Sequence, residues 1–248
     1  MNASKGNWLL HRLNPGARMR LFCLPYAGGG ASVYRSWPGS FPKEIDVCCV
    51  QLPGRENRLS ERLFSSMDPL VEAIAEALGN ALDRPFALFG HSMGGLIAYE
   101  LAKHLQQKYQ RTPNHLFVSA CRAPETPDPI HWHVLNDQDL MAELRQAPGF
   151  PVEILEHAEL MQVLLPIIRA DSAVTETYVH RPAEPLQFPL TAFASEKDEL
   201  ISLATVEPWR KYTRAAFDLK LMDGHHLFIK DQAPQMIRVI VDKLRGGA

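Results

Sequence analysis

Three groups able to work on a carbonyl carbon stand far apart in this 248-residue sequence: Ser92, the acids Glu196, Asp198 and Glu199, and the pair His225-His226. A serine hydroxyl is a weak nucleophile until a base takes its proton. An imidazole, with its pKa near neutrality, can accept that proton and later return it to a leaving group. A carboxylate behind the ring holds it oriented and stabilises its positive form. Ser92 lies in Gly90-His91-Ser92-Met93-Gly94, a G-x-S-x-G. A nucleophilic serine at a tight strand-to-helix turn is conformationally strained, and a side chain two positions away on either side would collide there. Glycine at both places removes the collision.

The elements that must position these groups follow from the pattern around them. Residues 86–89 form a short apolar run suited to a buried strand, and 96–105 are good helix formers without proline. The unpaired N–H groups that open such a helix carry the positive end of its dipole, so an oxyanion near Ser92 is stabilised. Further strands are expected at 20–24, 45–51, 115–120, 189–195 and 217–222. Helices are expected at 69–82, 206–214 and 233–244. Strands alternating with helices indicate an α/β chain. The acids follow the strand at 189–195 and the histidines follow the last strand, giving the order serine, acid, histidine. That is the chain order of α/β-hydrolases, and chymotrypsin-like and subtilisin-like orders differ.

Tyr26-Ala27-Gly28-Gly29-Gly30 follows the first strand. A dinucleotide loop G-x-G-x-x-G fails there, because Val33 occupies the third glycine position and Gln51 stands where an acid belongs. The alternative is a loop beside Ser92 that donates a second N–H to an oxyanion hole, with Ala27 the candidate donor. Arg55, Arg58 and Arg62 sit in a polar loop with Glu56 and Glu61. A solvated loop is the plainer expectation; a contact with an acidic partner or phosphate at the site mouth is the other.

From 124 to 189 the chain changes character, with nine prolines and no convincing strand. Helices are expected at 137–146 and 152–180, the second interrupted at Pro166. Ile154, Leu155, Met161, Leu164, Leu165 and Ile168 give this block a broad apolar face, suited to packing and to lining an acyl pocket.

The whole chain fits one α/β domain with an insertion. Its 26 basic and 28 acidic residues are interspersed, so nucleic acid is not an implied partner. No apolar run reaches the roughly 18 residues of a membrane span, and the first twenty residues lack a signal-peptide apolar region, which points to the cytoplasm. Cys23, Cys48, Cys49 and Cys121 have no metal-ligand spacing and read as buried reduced thiols.

GHSMGG, YAGGGAS, QLPGREN, IRADSAVTETY and GHHLFI, spread over residues 25–229, together resemble the type II thioesterases. These are the stand-alone editing hydrolases of polyketide and nonribosomal peptide assembly lines. The resemblance implies an α/β-hydrolase fold over 1–248, a mostly parallel central sheet with helices on both faces and a helical lid insertion at about 124–187. It makes Ser92 the nucleophile, Asp198 the acid and His226 the base, with the N–H groups of Ala27 and Met93 as the oxyanion hole. His225 stands where the family has a glycine and is the rival base. The implied substrate is an acyl or aminoacyl thioester on the phosphopantetheine arm of an acyl or peptidyl carrier protein, with no metal and no resident cofactor. Ser172 replaces a large apolar residue of the family and Cys121 interrupts an S-x-R-x-A-P stretch; both bear on acyl preference. The rivals are an acyl-CoA thioesterase or esterase, an acyltransferase, and an inactive fold used for binding.

Overall fold

The computed structural model describes residues 8–147 and 152–246. Six strands are all parallel: β1 (Met19–Leu24), β2 (Ile45–Cys49), β3 (Phe86–His91), β4 (His115–Ser119), β5 (Leu190–Ala194) and β6 (Phe217–Leu221). Their order across the sheet is β2-β1-β3-β4-β5-β6. The chain steps outward from β1 to β2, then returns to build the rest on the other side of β1. In parallel sheets the crevice at such a switch point, beyond the carboxyl ends of the strands, is where ligands bind. Here it opens between the loops that follow β1 and β3, those carrying Ala27 and Ser92.

Both faces of the sheet are covered, which is why the inner strands are apolar on both sides. Phe22, Leu24, Leu88 and Val118 point to the face packed by α1 (Met67–Leu78) and α2 (Met93–Tyr109). Leu21, Cys23, Phe89 and Phe117 point to the opposite face, with Met236, Ile237 and Ile240 of the C-terminal helix. Tyr34, Trp37 and Phe89 meet in tilted and edge-to-face contacts there, adding to the burial of that face. All four cysteines are buried and free.

Between β4 and β5 lie α3 (Asp137–Gln146), α4 (Val152–Leu155) and α5 (Ala158–Glu176). Their apolar faces form a separate cluster of Leu140, Leu144, Leu155, Met161, Leu165 and Ile168. The expected break at Pro166 is absent. α5 runs through Pro166, and the chain instead breaks before residue 158, where the His157 ring accepts the Leu160 N–H at 3.3 Å. Burial of Leu165 and Ile167 on either side of the proline outweighs the missing backbone bond. The helix also ends at Glu176 rather than 180. The expected helix at 206–214 is the short α6 (Leu203–Val206) followed by a tighter 3-10 turn at Glu207–Tyr212 that contains Pro208. α7 (Ala233–Gly246) closes the chain.

Arg62 is exposed, as a solvated loop predicts, but the other two arginines depart from both expectations. Arg55 and Arg58 are neither solvated nor turned to the site mouth, but 4% exposed each. Arg58 donates to the Gln51 carbonyl at 2.8 Å, pairs with Glu61 and stacks on Trp8 at 4.2 Å. Arg55 pairs with Asp171 of α5. Gln51 is wholly buried, accepting the Ala31 N–H and donating to the Leu52 and Arg55 carbonyls, so it is closed to any ribose.

Candidate active site

Ser92 sits between β3 and α2 at φ 54°, ψ −120°, a conformation unfavourable for any residue with a Cβ. The surrounding backbone enforces it. A Cβ on Gly90 would lie 1.9 Å from the Gly94 carbonyl oxygen, and one on Gly94 would lie 2.2 Å from that of Leu24. The two glycines therefore serve the close packing expected of them. The Ser92 N–H donates to the Ser119 carbonyl at 2.7 Å, which ties the turn to the end of β4.

The other groups arrive from the loops after β5 and β6. His226 Nε2 lies 2.9 Å from Ser92 Oγ. On the far side its Nδ1 lies 2.9 and 3.1 Å from the two carboxylate oxygens of Asp198. A carboxylate only accepts, so Nδ1 carries the proton and Nε2 of the neutral ring accepts from the serine. Asp198 Oδ1 also accepts the N–H groups of Leu200 and Ile201, both at 2.9 Å. Of the three competing acids it alone is buried; Glu196 and Glu199 are exposed. His225 is turned away to the surface, where its Nδ1 lies 2.7 Å from Glu199.

A second histidine, not singled out by its spacing, fixes the first. His91 Nε2 donates to the His226 carbonyl at 2.9 Å, and its Nδ1 accepts from the Ser119 hydroxyl at 2.9 Å. Complete burial and the nearby His226 ring push the His91 pKa well down, so it stays neutral in this tautomer. A fixed backbone carbonyl holds the His226 ring over Ser92.

The loop after β1 approaches from the other side. The Gly29 N–H donates to the Tyr26 carbonyl at 2.9 Å, closing a turn with Ala27 and Gly28 at its centre and Gly28 at φ 79°. Among the described residues the Ala27 N–H donates to no backbone carbonyl. The Met93 N–H belongs to the first turn of α2, which has no partner within the helix. Ala27, Met93, Ser92 and His226 all border one cavity of about 520 Å³. Leu144, Ile154, Leu164 and Ile168 give that cavity an apolar wall, and Cys121 and Ser172, both departures from the resembled pattern, also line it.

Among the described residues no cluster of histidine, cysteine and acids is placed to hold a metal, and no helix is long and apolar enough to cross a membrane. A family model described as thioesterase domain matches residues 19–244. The chain belongs to the thioesterase family. The gramicidin S biosynthesis protein GrsT of Aneurinibacillus migulanus is 41% identical to this thioesterase over 96% of this chain and 94% of its own. RedJ, a thioesterase of the prodiginine pathway in Streptomyces coelicolor, superposes with a TM-score of 0.86 at 38% identity, covering 92% of this chain and 86% of RedJ. BorB, a type II thioesterase from the borrelidin cluster, gives a TM-score of 0.87 at 31% identity, covering 98% and 100%. The α/β-hydrolase fold and the thioester-hydrolysing class expected from the motifs are thus those of the chain and its relatives.

Proposed function

We propose that this thioesterase hydrolyses acyl or aminoacyl groups from the phosphopantetheine arm of carrier proteins in polyketide or nonribosomal peptide synthesis. The observation that carries this reading is the unbroken chain Asp198–His226–Ser92 at the edge of a largely apolar cavity, in a chain whose relatives are named for such pathways. Ser92 Oγ attacks the thioester carbonyl while His226 Nε2 takes its proton; Asp198 holds the ring and stabilises its charge. The oxyanion is met by the Ala27 and Met93 N–H groups, where loss of one donor typically costs about 10²- to 10³-fold in rate. Collapse expels the pantetheine thiolate, protonated by His226, and leaves the acyl group on Ser92. Water, deprotonated by the same ring, then releases the acid. Each role falls to a side chain or amide of this chain, so the reaction calls on no metal or resident cofactor; the pantetheine belongs to the carrier.

In this reading the chain is one domain, with α3, α4 and α5 as a lid over the acyl pocket, and it works in the cytoplasm, where such synthases load their carriers. The test compares release of one acyl group from a phosphopantetheinylated carrier with release from the matching acyl-CoA, using Ser92→Ala as the blank. Faster release from the carrier, abolished in Ser92→Ala, is the expected result. Preference for CoA or simple esters would make it a small-substrate hydrolase, and transfer to a second thiol without hydrolysis would make it an acyltransferase. Activity surviving in Ser92→Ala would overturn the mechanism.

A further inference from the structure

A buried charge on a helix needs a partner, and Asp171 of α5 has three donors from two different loops. Arg55 Nη1 and Nη2 grip its carboxylate as a fork, at 2.5 and 2.8 Å. The Gly28 N–H donates to the same carboxylate at 2.8 Å. Arg55 Nη1 reaches on to the Gly29 carbonyl at 3.1 Å, and its Nε donates to the Pro53 carbonyl at 3.3 Å. Both charged side chains are almost wholly buried, at 5% and 2% exposure. One helical turn earlier, Ile168 packs on Gly28 so closely that a Cβ there would stand 3.1 Å from it.

These bonds hold the peptide unit that follows Ala27, through the Gly28 N–H, and the backbone two units further on, through the Gly29 carbonyl. Gly28 is held through its N–H and Gly29 through its carbonyl, while the turn bond from Gly29 to Tyr26 closes the other side. With its neighbours pinned, the Ala27 amide has one direction to point. A buried ion pair is a poor device for stability alone, since apolar residues of similar size often serve as well or better. Its value lies in geometry, because a forked, doubly hydrogen-bonded pair admits one arrangement.

We infer that Asp171, braced by Arg55, is a positioning residue that aims the Ala27 N–H at the oxyanion, so that the helix between β4 and β5 sets the geometry of the oxyanion hole. The inference rests on the assignment of Ala27 as an oxyanion donor. Asp171 touches no substrate; it acts through Gly28.

Asp171→Asn tests this most directly, since it keeps the shape but turns one accepting oxygen into a donor facing Gly28 or Arg55. The measurements are kcat, KM, Tm and the affinity of an alkyl trifluoromethyl ketone, whose adduct with Ser92 places an oxyanion in the hole. A misplacement of about 1 Å is worth on the order of 10²-fold in rate. The expected result is a fall in kcat of about 10- to 100-fold, KM within about threefold, and ketone affinity weakened in step with kcat. Arg55→Lys, which keeps the charge but loses the fork, is expected to fall between wild type and Asp171→Asn, and it carries the test if Asp171→Asn does not fold. Arg20→Met removes another buried arginine, one paired with the half-exposed Asp83 at the far end of the sheet. It is expected to lower Tm and leave kcat within about twofold. If the Asp171 and Arg55 variants behave like Arg20→Met, losing Tm but neither kcat nor ketone affinity, the inference is overturned. Ser92→Ala run alongside separates the cases: a dead Ser92→Ala with a fully active Asp171→Asn removes only the positioning role, whereas an active Ser92→Ala removes the catalytic reading beneath it.

Discussion

His225 and His226 are neighbours of the same type, and the residue scale decides between them by direction alone. The chain leaves β6 through Gly224 at φ 109°, which sends His226 inward to 7% exposure and His225 outward to Glu199. His226→Ala is expected to lower kcat on the order of 10⁴-fold or more. His225→Ala is expected to leave it within about twofold, because its ring lies at the surface against Glu199 and away from Ser92. Steady-state hydrolysis by the two variants, with Tm as a control on folding, checks both. Neither spacing nor composition separates two adjacent histidines, and the same holds for the three acids at 196–199. Resemblance to a family pattern selects Asp198 and His226; the reason visible in the fold is that only these two are buried and bonded to one another. His91 was legible as a residue but not as a role, since its partners come from 28 and 135 positions away.

At the scale of elements the strands were the most readable part, because most are short apolar runs bounded by turn residues, and their expected bounds lie within a residue or two of those found. The helices between β4 and β5 were less so. Proline at 166 signals a break to any local rule, and only the packing of Leu165 and Ile167 against other segments carries the helix past it. Arg55 misled for the same reason: its partner lies 116 residues away. Strand packing also has a pH signature. His115 on β4, bonded to Thr191 on β5 at 2.9 Å, is pushed down to about 4 chiefly by burial, with Lys243 lowering it further and Asp218 opposing. An unfolded histidine takes its proton near 6.5, so between about 6.5 and 4 the unfolded chain holds the extra proton and stability falls as pH falls. Above that window the effect is absent. His91, which burial also pushes well down, acts in the same sense. Tm is expected to drop from pH 7 to 4.5, and His115→Gln to flatten part of that slope, by up to roughly 3 kcal/mol at its acid end. Thermal melts of both proteins across this range read the difference.

The molecule as a whole is built from unequal parts. Two apolar clusters lie on the faces of the sheet, and a third, smaller one holds α3, α4 and α5 to each other. Regions that own their contacts can open without the rest. Leu140 is fully buried in that third cluster and borders no catalytic group. Leu140→Ala removes about 2 to 5 kcal/mol of local packing. Hydrogen exchange is expected to quicken in α3 and α5 while β1, β3 and β4 keep their protection; uniform quickening would mean that the insertion and the sheet open as one.

Ser92 and His226 are 134 positions apart, and they meet only across a sheet whose every neighbouring pair of strands is parallel. Such pairings close long loops before any contact rewards them and form slowly. On the proposed mechanism, Ser92 is therefore expected to become reactive only after β3, β4, β5 and β6 have all docked. A chain that has formed the glycine-rich turn but not yet placed the loop after β6 holds Ser92 with no base beside it, and on that mechanism it is expected to be chemically silent until its architecture is complete.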